Sequence, residues 1–271
     1  MTNAKLPVCL TIAGLDPSGG AGVIADIKTF TAFGCFGTAA ITSLTYQNTV
    51  GVFGAEHQSA DCVRRQVLPV IEDLGVDSVK TGMLPTVEVI VETAQLIADN
   101  RLRNIVVDPV VRSTSGFDLI NGEALSELIR LLFPLSNLVT PNIPETERIT
   151  GISIESEIDL DDAADVIRSM GAKNVLIKGG HFDRDQTAGG LRIARDRLYT
   201  GNGKLYLDAE YIDTTATHGT GCTLAAAVAA NLAQGRGLVD SVRIAKEYVD
   251  RAIRTPTNLG NGSSPIGFPR N

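Results

Sequence analysis

Tryptophan is absent from the 271 residues, and five Tyr and eight Phe leave little material for a stacking surface. Basic residues are outnumbered, 24 Lys and Arg against 31 Asp and Glu, for a net charge of −7. An extended cationic groove with interleaved aromatics is therefore excluded, and nucleic acid is not an expected partner. No apolar run approaches the roughly 20 residues of a membrane-spanning helix, the longest being Leu224 to Ala233. Met1 to Lys5 opens no secretory leader, which points to a cytoplasmic protein without a membrane partner. The four cysteines, Cys9, Cys35, Cys62 and Cys222, include no C-x-x-C pair, and His57, His181 and His218 keep no zinc spacing. Neither a disulfide framework nor a structural metal is expected. The pattern G-x-x-x-x-G-K-[ST] is missing too, so any phosphoryl transfer must use another arrangement than a P-loop.

What is present has ordinary globular proportions, 44% hydrophobic and 20% charged, with a generous 27 glycines. Short β-branched runs recur at Cys9 to Ala13, Thr38 to Leu44, Ser78 to Thr81, Asn104 to Val107, Asn137 to Thr140 and Asn174 to Ile177. Between them, Ala21 to Phe33, Val63 to Asp73, Val87 to Asp99, Glu123 to Phe133, Pro144 to Thr150 and Leu160 to Met170 carry apolar residues at helical steps. Nearly continuous apolar strands alternating with helices predict an α/β fold, a mostly parallel central sheet with helices on both faces. A polar hairpin is expected over Gly189 to Asp208, then helices over Gly219 to Ala233 and Leu238 to Arg254. The tail from Asn258 to Asn271, rich in Gly, Ser, Asn and Pro, reads as a surface excursion. No linker or repeat divides the chain, so 1–271 is expected to be a single domain.

In such sheets ligands sit beyond the carboxyl ends of the strands, which directs attention to the loops that follow them. Gly14-Leu15-Asp16-Pro17-Ser18-Gly19-Gly20-Ala21-Gly22 runs from the first strand into a helix carrying Asp26. Its stretch Gly20 to Ala25 fits a loose dinucleotide fingerprint, but no acidic residue ends the next strand to hold a ribose; a turn built only for packing is the plainer reading. Thr217-His218-Gly219-Thr220-Gly221-Cys222-Thr223 leads into the small-residue run Leu224 to Ala230. There, backbone N–H groups around Gly219, Thr220 and Gly221 can converge on an anion at a helix N-terminus. The same dipole is expected to lower the thiol pKa of Cys222, making it a candidate base or nucleophile, against the alternative of a small buried hydrophobe. In Thr140-Pro141-Asn142-Ile143-Pro144-Glu145, an amide and a carboxylate could hold a hydrated Mg²⁺, or could simply start a helix. Lys178-Gly179-Gly180-His181 offers a cation to phosphate oxygens. Gln47 could pair with a heteroaromatic ring, with Met83 and Val110 or Val111 as the wall for its flat face.

Taken together, these loops resemble the hydroxymethylpyrimidine and phosphomethylpyrimidine kinases of thiamine biosynthesis, in the ribokinase-like superfamily. The resemblance rests on Thr11 to Gly22, Ala25-Asp26-Ile27-Lys28-Thr29-Phe30, Gln47-Asn48-Thr49, Lys80-Thr81-Gly82-Met83-Leu84, Asp108-Pro109-Val110, Thr140 to Glu145, Lys178 to His181 and Thr217 to Thr223, eight motifs in family order. It implies a ribokinase-like fold and an enzyme that uses ATP and Mg²⁺ to phosphorylate a small pyrimidine alcohol and then its monophosphate. It further implies a pyrimidine site at Gly14, Asp26, Thr45, Gln47, Met83 and Val110, with Cys222 over the reacting hydroxyl. A nucleotide site at Asn142, Lys178, Thr217, His218 and the Gly219 to Gly221 loop is implied as well, with Glu145, Asn142 and Asp108 toward the metal, adenine contacts near Ala245 and Lys246, and a homodimer.

Two positions depart from the family pattern. Arg112 puts a charge into Val110-Val111-Arg112-Ser113-Thr114-Ser115-Gly116, a segment expected to cover the site, where it steers a phosphorylated substrate or faces solvent. Tyr46 stands where the family often has alanine and is expected to narrow the pocket. The covering segment has no cysteine of the kind that related pyridoxal kinases pair with the helix cysteine. Pyridoxal kinase, nicotinamide-dependent oxidoreductase and non-catalytic pyrimidine sensor are the competing readings.

Overall fold

The computed structural model describes residues 5–112, 118–180, 187–188 and 191–269. His181, the stretch from Ser113 to Gly116 and the Gly189 end of the expected hairpin lie outside the described residues.

Strands with apolar side chains on both faces form the centre. In β5 (Ile105–Val107), Ile105 and Val107 join one core and Val106 the other; in β7 (Val175–Ile177), Val175 and Ile177 oppose Leu176 in the same way. This is why these strands read as unbroken apolar runs. With β1 (Val8–Leu15), β2 (Phe36–Gln47), β4 (Ser78–Thr81) and β6 (Leu138–Val139) they make a parallel array in the order β7-β6-β5-β4-β1-β2. Antiparallel strands extend both edges: β3 (Val52–His57) beside β2, and β9 (Leu191–Thr200) then β10 (Gly203–Glu210) beyond β7, with β8 (Thr187–Ala188) pairing to β9.

One face is covered by α1 (Gly22–Ala32), α7 (Thr220–Ala233) and α8 (Leu238–Arg254). The other is covered by α2 (Ala60–Leu74), α3 (Val87–Asp99), α4 (Gly122–Leu132), α5 (Ile143–Thr150) and α6 (Glu157–Ser169). The two-faced α/β architecture is thus as expected. Helix α7 lies between α1 and α8 and against β1, β4 and β5, with every residue from Thr223 to Leu232 buried. Its alanines permit that close approach on all sides.

Three expectations change. β2 runs on to Gln47, so Thr45 and Gln47 sit on a strand rather than a loop, and its partner β3 was not anticipated because Gly54 interrupts the alternation. α2 and α6 begin three residues early, where Ser59 and Ser156 accept hydrogen bonds from the N–H groups of Cys62 and Asp159. The tail is no surface excursion: Ser264, Pro265 and Ile266 are buried. Ile266 N–H donates to the His218 carbonyl at 3.4 Å, Gly267 N–H to Ala252 at 2.9 Å and Ser263 N–H to Thr49 at 2.8 Å. Polar composition hid a strap that is tied to the rest of the fold through its backbone N–H groups. Ile266→Ala is therefore expected to cost about 2–4 kcal/mol, read as a lower midpoint in urea unfolding; a surface tail would leave the midpoint unchanged.

Candidate active site

From β1 the chain passes to β2 on one side and returns, through β3 and α2, to β4 on the other, so the loops after β1 and β4 part company. Crevices open at such switch points. Here a cavity of about 560 Å³ lies along the carboxyl ends, lined by residues following β1, β4, β5, β6 and β7, by the start of α7 and by one side of α8.

Its floor is ionic. Lys80 Nζ lies 2.9 Å from Asp26 Oδ2, both side chains fully buried, and Thr11 Oγ1 donates to the same oxygen at 2.6 Å. Burial raises the Asp26 carboxyl, against the pull of Lys80 and Thr11. Burial works against the Lys80 ammonium, yet the carboxylates around it, Asp26 first, hold it above its ordinary range. Asp26 itself does not line the cavity. It sits beneath the site and holds Lys80 through Oδ2, while its buried Oδ1 has no hydrogen-bond partner among the described residues. Lys80 carried no assignment from the sequence, since nothing local says that a lysine in a buried strand will meet an acid from another element.

A second cluster stands at the ends of β5, β6 and β7. Asp108 Oδ1 accepts from Lys178 Nζ at 3.0 Å and from Thr140 Oγ1 at 3.1 Å, with Glu145 Oε2 at 3.9 Å from the same ammonium. Lys178 is largely buried: burial disfavours its charge, but Asp108 and Glu145 outweigh that and raise its pKa. Asn142 and Glu145 cap α5 reciprocally. The amide oxygen takes Glu145 N–H at 2.8 Å while Glu145 Oε2 takes Asn142 N–H at 2.8 Å. The amide oxygen expected to face a metal is thereby engaged in the cap. Burial, aided by Asp108 and opposed by Lys178, pushes the Glu145 carboxyl up to about 7. Among the described residues, no group of three or more His, Cys, Asp or Glu could hold a metal ion.

Helix α7 arrives at this cluster with an open N-terminus. No side chain caps it and no acidic residue occupies its first turn, so the N–H groups there carry the positive end of the dipole outward. A β-carbon on Gly221 would stand 3.1 Å from Lys178 Nζ and 3.8 Å from Asp108 Oδ2, which brings that first turn beside the second cluster. At Gly219, φ is +88° and a β-carbon would come within 1.8 Å of the Gly20 carbonyl oxygen; at Gly22, φ is +56° and it would come within 2.3 Å of the Gly14 oxygen. Of the first loop's glycines, Gly20 thus meets the second loop at His218 and Gly22 closes the first loop on Gly14, packing roles that account for them without a dinucleotide.

The same seam is tied by His218. Its Nε2 is 2.7 Å from Asp16 Oδ2, and Asp16 also accepts from Ser18 N–H, Ser18 Oγ and Ala21 N–H at 2.7–2.9 Å. Burial opposes the Asp16 charge, but His218 and Ser18 hold its carboxyl below the usual range. His218 lines the cavity while its ring faces the first loop. Asp16 was missed, although an aspartate two residues before a serine and followed by glycines is a turn signal.

Cys222 lies between the two clusters. Burial pushes its thiol up to about 11; Lys80 and the N–H of Gly22 pull it down without compensating. The expected lowering by the helix dipole is therefore reversed. Gly14, Thr45, Gln47, Met83 and Val110 line the other end, where Gln47 Nε2 donates to Thr45 Oγ1 at 2.7 Å and Thr45 Oγ1 to the Leu15 carbonyl at 2.8 Å. Tyr46 does not narrow this pocket: it is exposed on the opposite side of β2, its hydroxyl 3.2 Å from Glu56. Thr217 and Lys246 line the cavity, Lys246 bonded to Asp196 at 2.6 Å, whereas Ala245 is buried in the core.

Residues 16–267 match the family model described as phosphomethylpyrimidine kinase. The chain belongs to that family. It is 41% identical to a hydroxymethylpyrimidine/phosphomethylpyrimidine kinase of Haemophilus influenzae, over 98% of this chain and 97% of that one. It is also 44% identical to a thiamine biosynthesis bifunctional protein of Geobacter sulfurreducens, over 95% of this chain and 51% of the longer protein. Among solved structures, the kinase is similar to a phosphomethylpyrimidine kinase of Clostridium difficile at 39% identity and TM-score 0.77, covering 91% and 99% of the two chains. It resembles a pyridoxal kinase of Bacillus subtilis, solved as an ADP complex, at 34% identity and TM-score 0.87, covering 98% of each.

The raised Glu145 pKa has a consequence for stability. A folded-state pKa near 7 against an unfolded value near 4.5 means that the folded state binds the extra proton in between, so stability falls as pH rises through this window. Glu145→Gln keeps an oxygen for the Asn142 N–H and removes the titration. Wild type is expected to lose about 2–3 kcal/mol relative to the variant between pH 4.5 and 8, measured by denaturant unfolding at each pH; parallel curves would contradict the burial account.

Proposed function

We propose that the chain works as one kinase domain that moves the γ-phosphoryl group of ATP onto the hydroxymethyl oxygen of 4-amino-5-hydroxymethyl-2-methylpyrimidine, and then a second phosphoryl group onto that monophosphate, yielding the diphosphate used in thiamine biosynthesis. In the first step the new P–O bond forms at the hydroxymethyl oxygen. The bond from the γ-phosphorus to the β–γ bridging oxygen breaks with its electron pair leaving on ADP, and the hydroxyl proton passes to an oxygen of the transferred phosphoryl group. The observation that carries this reading is the convergence of the α7 N-terminus, Lys178 and Cys222 within one cavity whose other end is walled by Gln47, Met83 and Val110, in a chain of this family.

Each group has a physical role on this reading. Gln47 has one amide hydrogen on Thr45, leaving its carbonyl oxygen and second hydrogen to pair with the amino-pyrimidine edge. Gly14 and Met83 form the flat wall and Val110 faces the ring. A thiol held near 11 is protonated at neutral pH, so Cys222 orients the hydroxyl by hydrogen bonding and does not act as its base; the proton passes late to an oxygen of the transferred phosphoryl group, as a loose transition state allows. The N–H groups of Gly219, Gly221 and Cys222 and the Lys178 ammonium stabilise charge on the phosphoryl oxygens in transit, whereas the Thr220 N–H is turned to the Thr217 carbonyl at 3.3 Å. Thr217 borders the nucleotide phosphates, His218 fixes that border to the first loop, and the apolar Leu224, Val249 and Ile253 offer an adenine slot beside Lys246.

The donor set fits Mg²⁺ that arrives with the nucleotide. Asp108 and Glu145 supply hard oxygens without forming a full cage, which matches an ion that keeps its waters and binds phosphates. Asp108 and Glu145 would hold the ion, which would supply charge neutralisation for the phosphates. No described helix is long and apolar enough to cross a membrane, consistent with a cytoplasmic enzyme. A homodimer fits the exposed Tyr46 and Phe53 around the edge strand β3, which a second copy would cover.

The neighbouring pyridoxal kinase structures, at TM-scores of 0.87 and 0.89, make pyridoxal the second substrate to be tested. ATP consumption with the pyrimidine alcohol, its monophosphate and pyridoxal offered separately, products identified by mass, is expected to show turnover of both pyrimidines. Turnover of pyridoxal alone would transfer the chain to vitamin B6 phosphorylation. Lys178→Ala is expected to lower kcat by about 10²–10³ for both steps, and Cys222→Ser to lower it while leaving ATP affinity intact; unchanged kcat in both variants would remove these residues from the chemistry.

A further inference from the structure

The two phosphorylations make different electrostatic demands. In the first, the acceptor brought to the triphosphate is a neutral alcohol. In the second it is itself a phosphate, so two anions must be held close together, and repulsion within a partly desolvated site requires a cation that the first step does not need.

The cations that line the cavity are mostly spoken for. Lys80 is matched by Asp26, Lys246 by Asp196, and Lys178 by Asp108 with Glu145 close by. Arg112 differs. It lines the cavity just beyond Val110, with its guanidinium Nε 2.9 Å from Asp118 Oδ1. That same oxygen is taken by Arg148 at 3.1 Å, and Arg148 also donates to the Ile120 carbonyl at 3.2 Å. Among the described residues two guanidinium groups thus share one carboxylate, leaving one positive charge in surplus at the cavity wall. Together they keep the Asp118 carboxyl below its usual range. Arg148 is anchored on α5 and outside the cavity lining, whereas the Arg112 side chain is 60% exposed and bonds to Asp118 through Nε. Its remaining N–H donors form the fork that suits a phosphate.

We infer that Arg112 is the specificity-determining residue for the phosphorylated substrate, binding the monophosphate of the pyrimidine in the second transfer. Asp118 and Arg148 act as its positioning partners: the shared carboxylate holds the Arg112 guanidinium at the cavity, and Arg148 frees its charge for a ligand. The inference rests on the proposed two-step kinase activity.

The test is kcat/KM for the pyrimidine alcohol and for its monophosphate, measured in parallel on wild type, Arg112→Ala and Arg112→Lys. Loss of hydrogen bonds from a charged donor is expected to lower the monophosphate-to-alcohol ratio about 10- to 100-fold in Arg112→Ala, mainly through KM for the monophosphate. Arg112→Lys, which keeps the charge but not the fork, is expected to fall in between. A ratio unchanged within twofold in Arg112→Ala would overturn the inference while leaving the kinase reading in place. Wild type that turns over neither pyrimidine would instead overturn the kinase reading itself. A fall for both substrates by the same factor would assign Arg112 to the fold or to the nucleotide, and so would also contradict the inference.

Discussion

Everything in the site depends on the contact between two glycine-rich loops, where Gly219 meets the Gly20 carbonyl with no room for a side chain. That contact, tied by the His218 to Asp16 bond, sets where α7 begins. The helix cannot start earlier without driving a β-carbon into the first loop, and its body is fixed by burial against three strands and two helices. Its uncapped N–H groups are therefore held at the carboxyl ends of the sheet, in the position an anion would occupy. The buried strap at Ile266 backs the same loop from outside through the His218 carbonyl.

The cavity is charged but nearly balanced. Lys80 with Asp26, Lys178 with Asp108, and Lys246 with Asp196 each pair a cation with an acid from a different element. Such pairs are costly to break one partner at a time, and they keep the side chains in place before any ligand arrives. On the proposed function, an incoming phosphate would meet donors that are already oriented, with little reorganisation left for the reaction itself. The surplus at Arg112 stands out against this balance.

Much of this could be read from the residues. Alternating apolar strands and helices gave the two-faced sheet, and the loop from Thr217 to Thr223 marked the helix start that faces the cavity. What stayed hidden depended on long-range pairing. Lys80 and Asp26 are 54 residues apart and meet only after β1 and β4 become neighbours. The thiol of Cys222 looked activated from its helix position, because a local dipole is visible in a sequence while burial among Asp26 and Asp108 is not. Asn142 and Glu145 admitted two readings, and the reciprocal cap is the one their hydrogen bonds follow. The tail was misjudged on composition, since backbone bonds to Thr49, His218 and Ala252 leave no mark on residue type.

In the proposed reaction the α7 N-terminus is the seat of the transferred phosphoryl group. A crystal structure with a non-hydrolysable ATP analogue, Mg²⁺ and the pyrimidine alcohol tests this directly. The γ-phosphate is predicted within hydrogen-bonding distance of the N–H groups of Gly221 or Cys222 and of Lys178 Nζ, with the alcohol oxygen beside the Cys222 sulfur. A γ-phosphate bound away from that helix end, or a pyrimidine ring outside the wall formed by Gln47 and Met83, would contradict it.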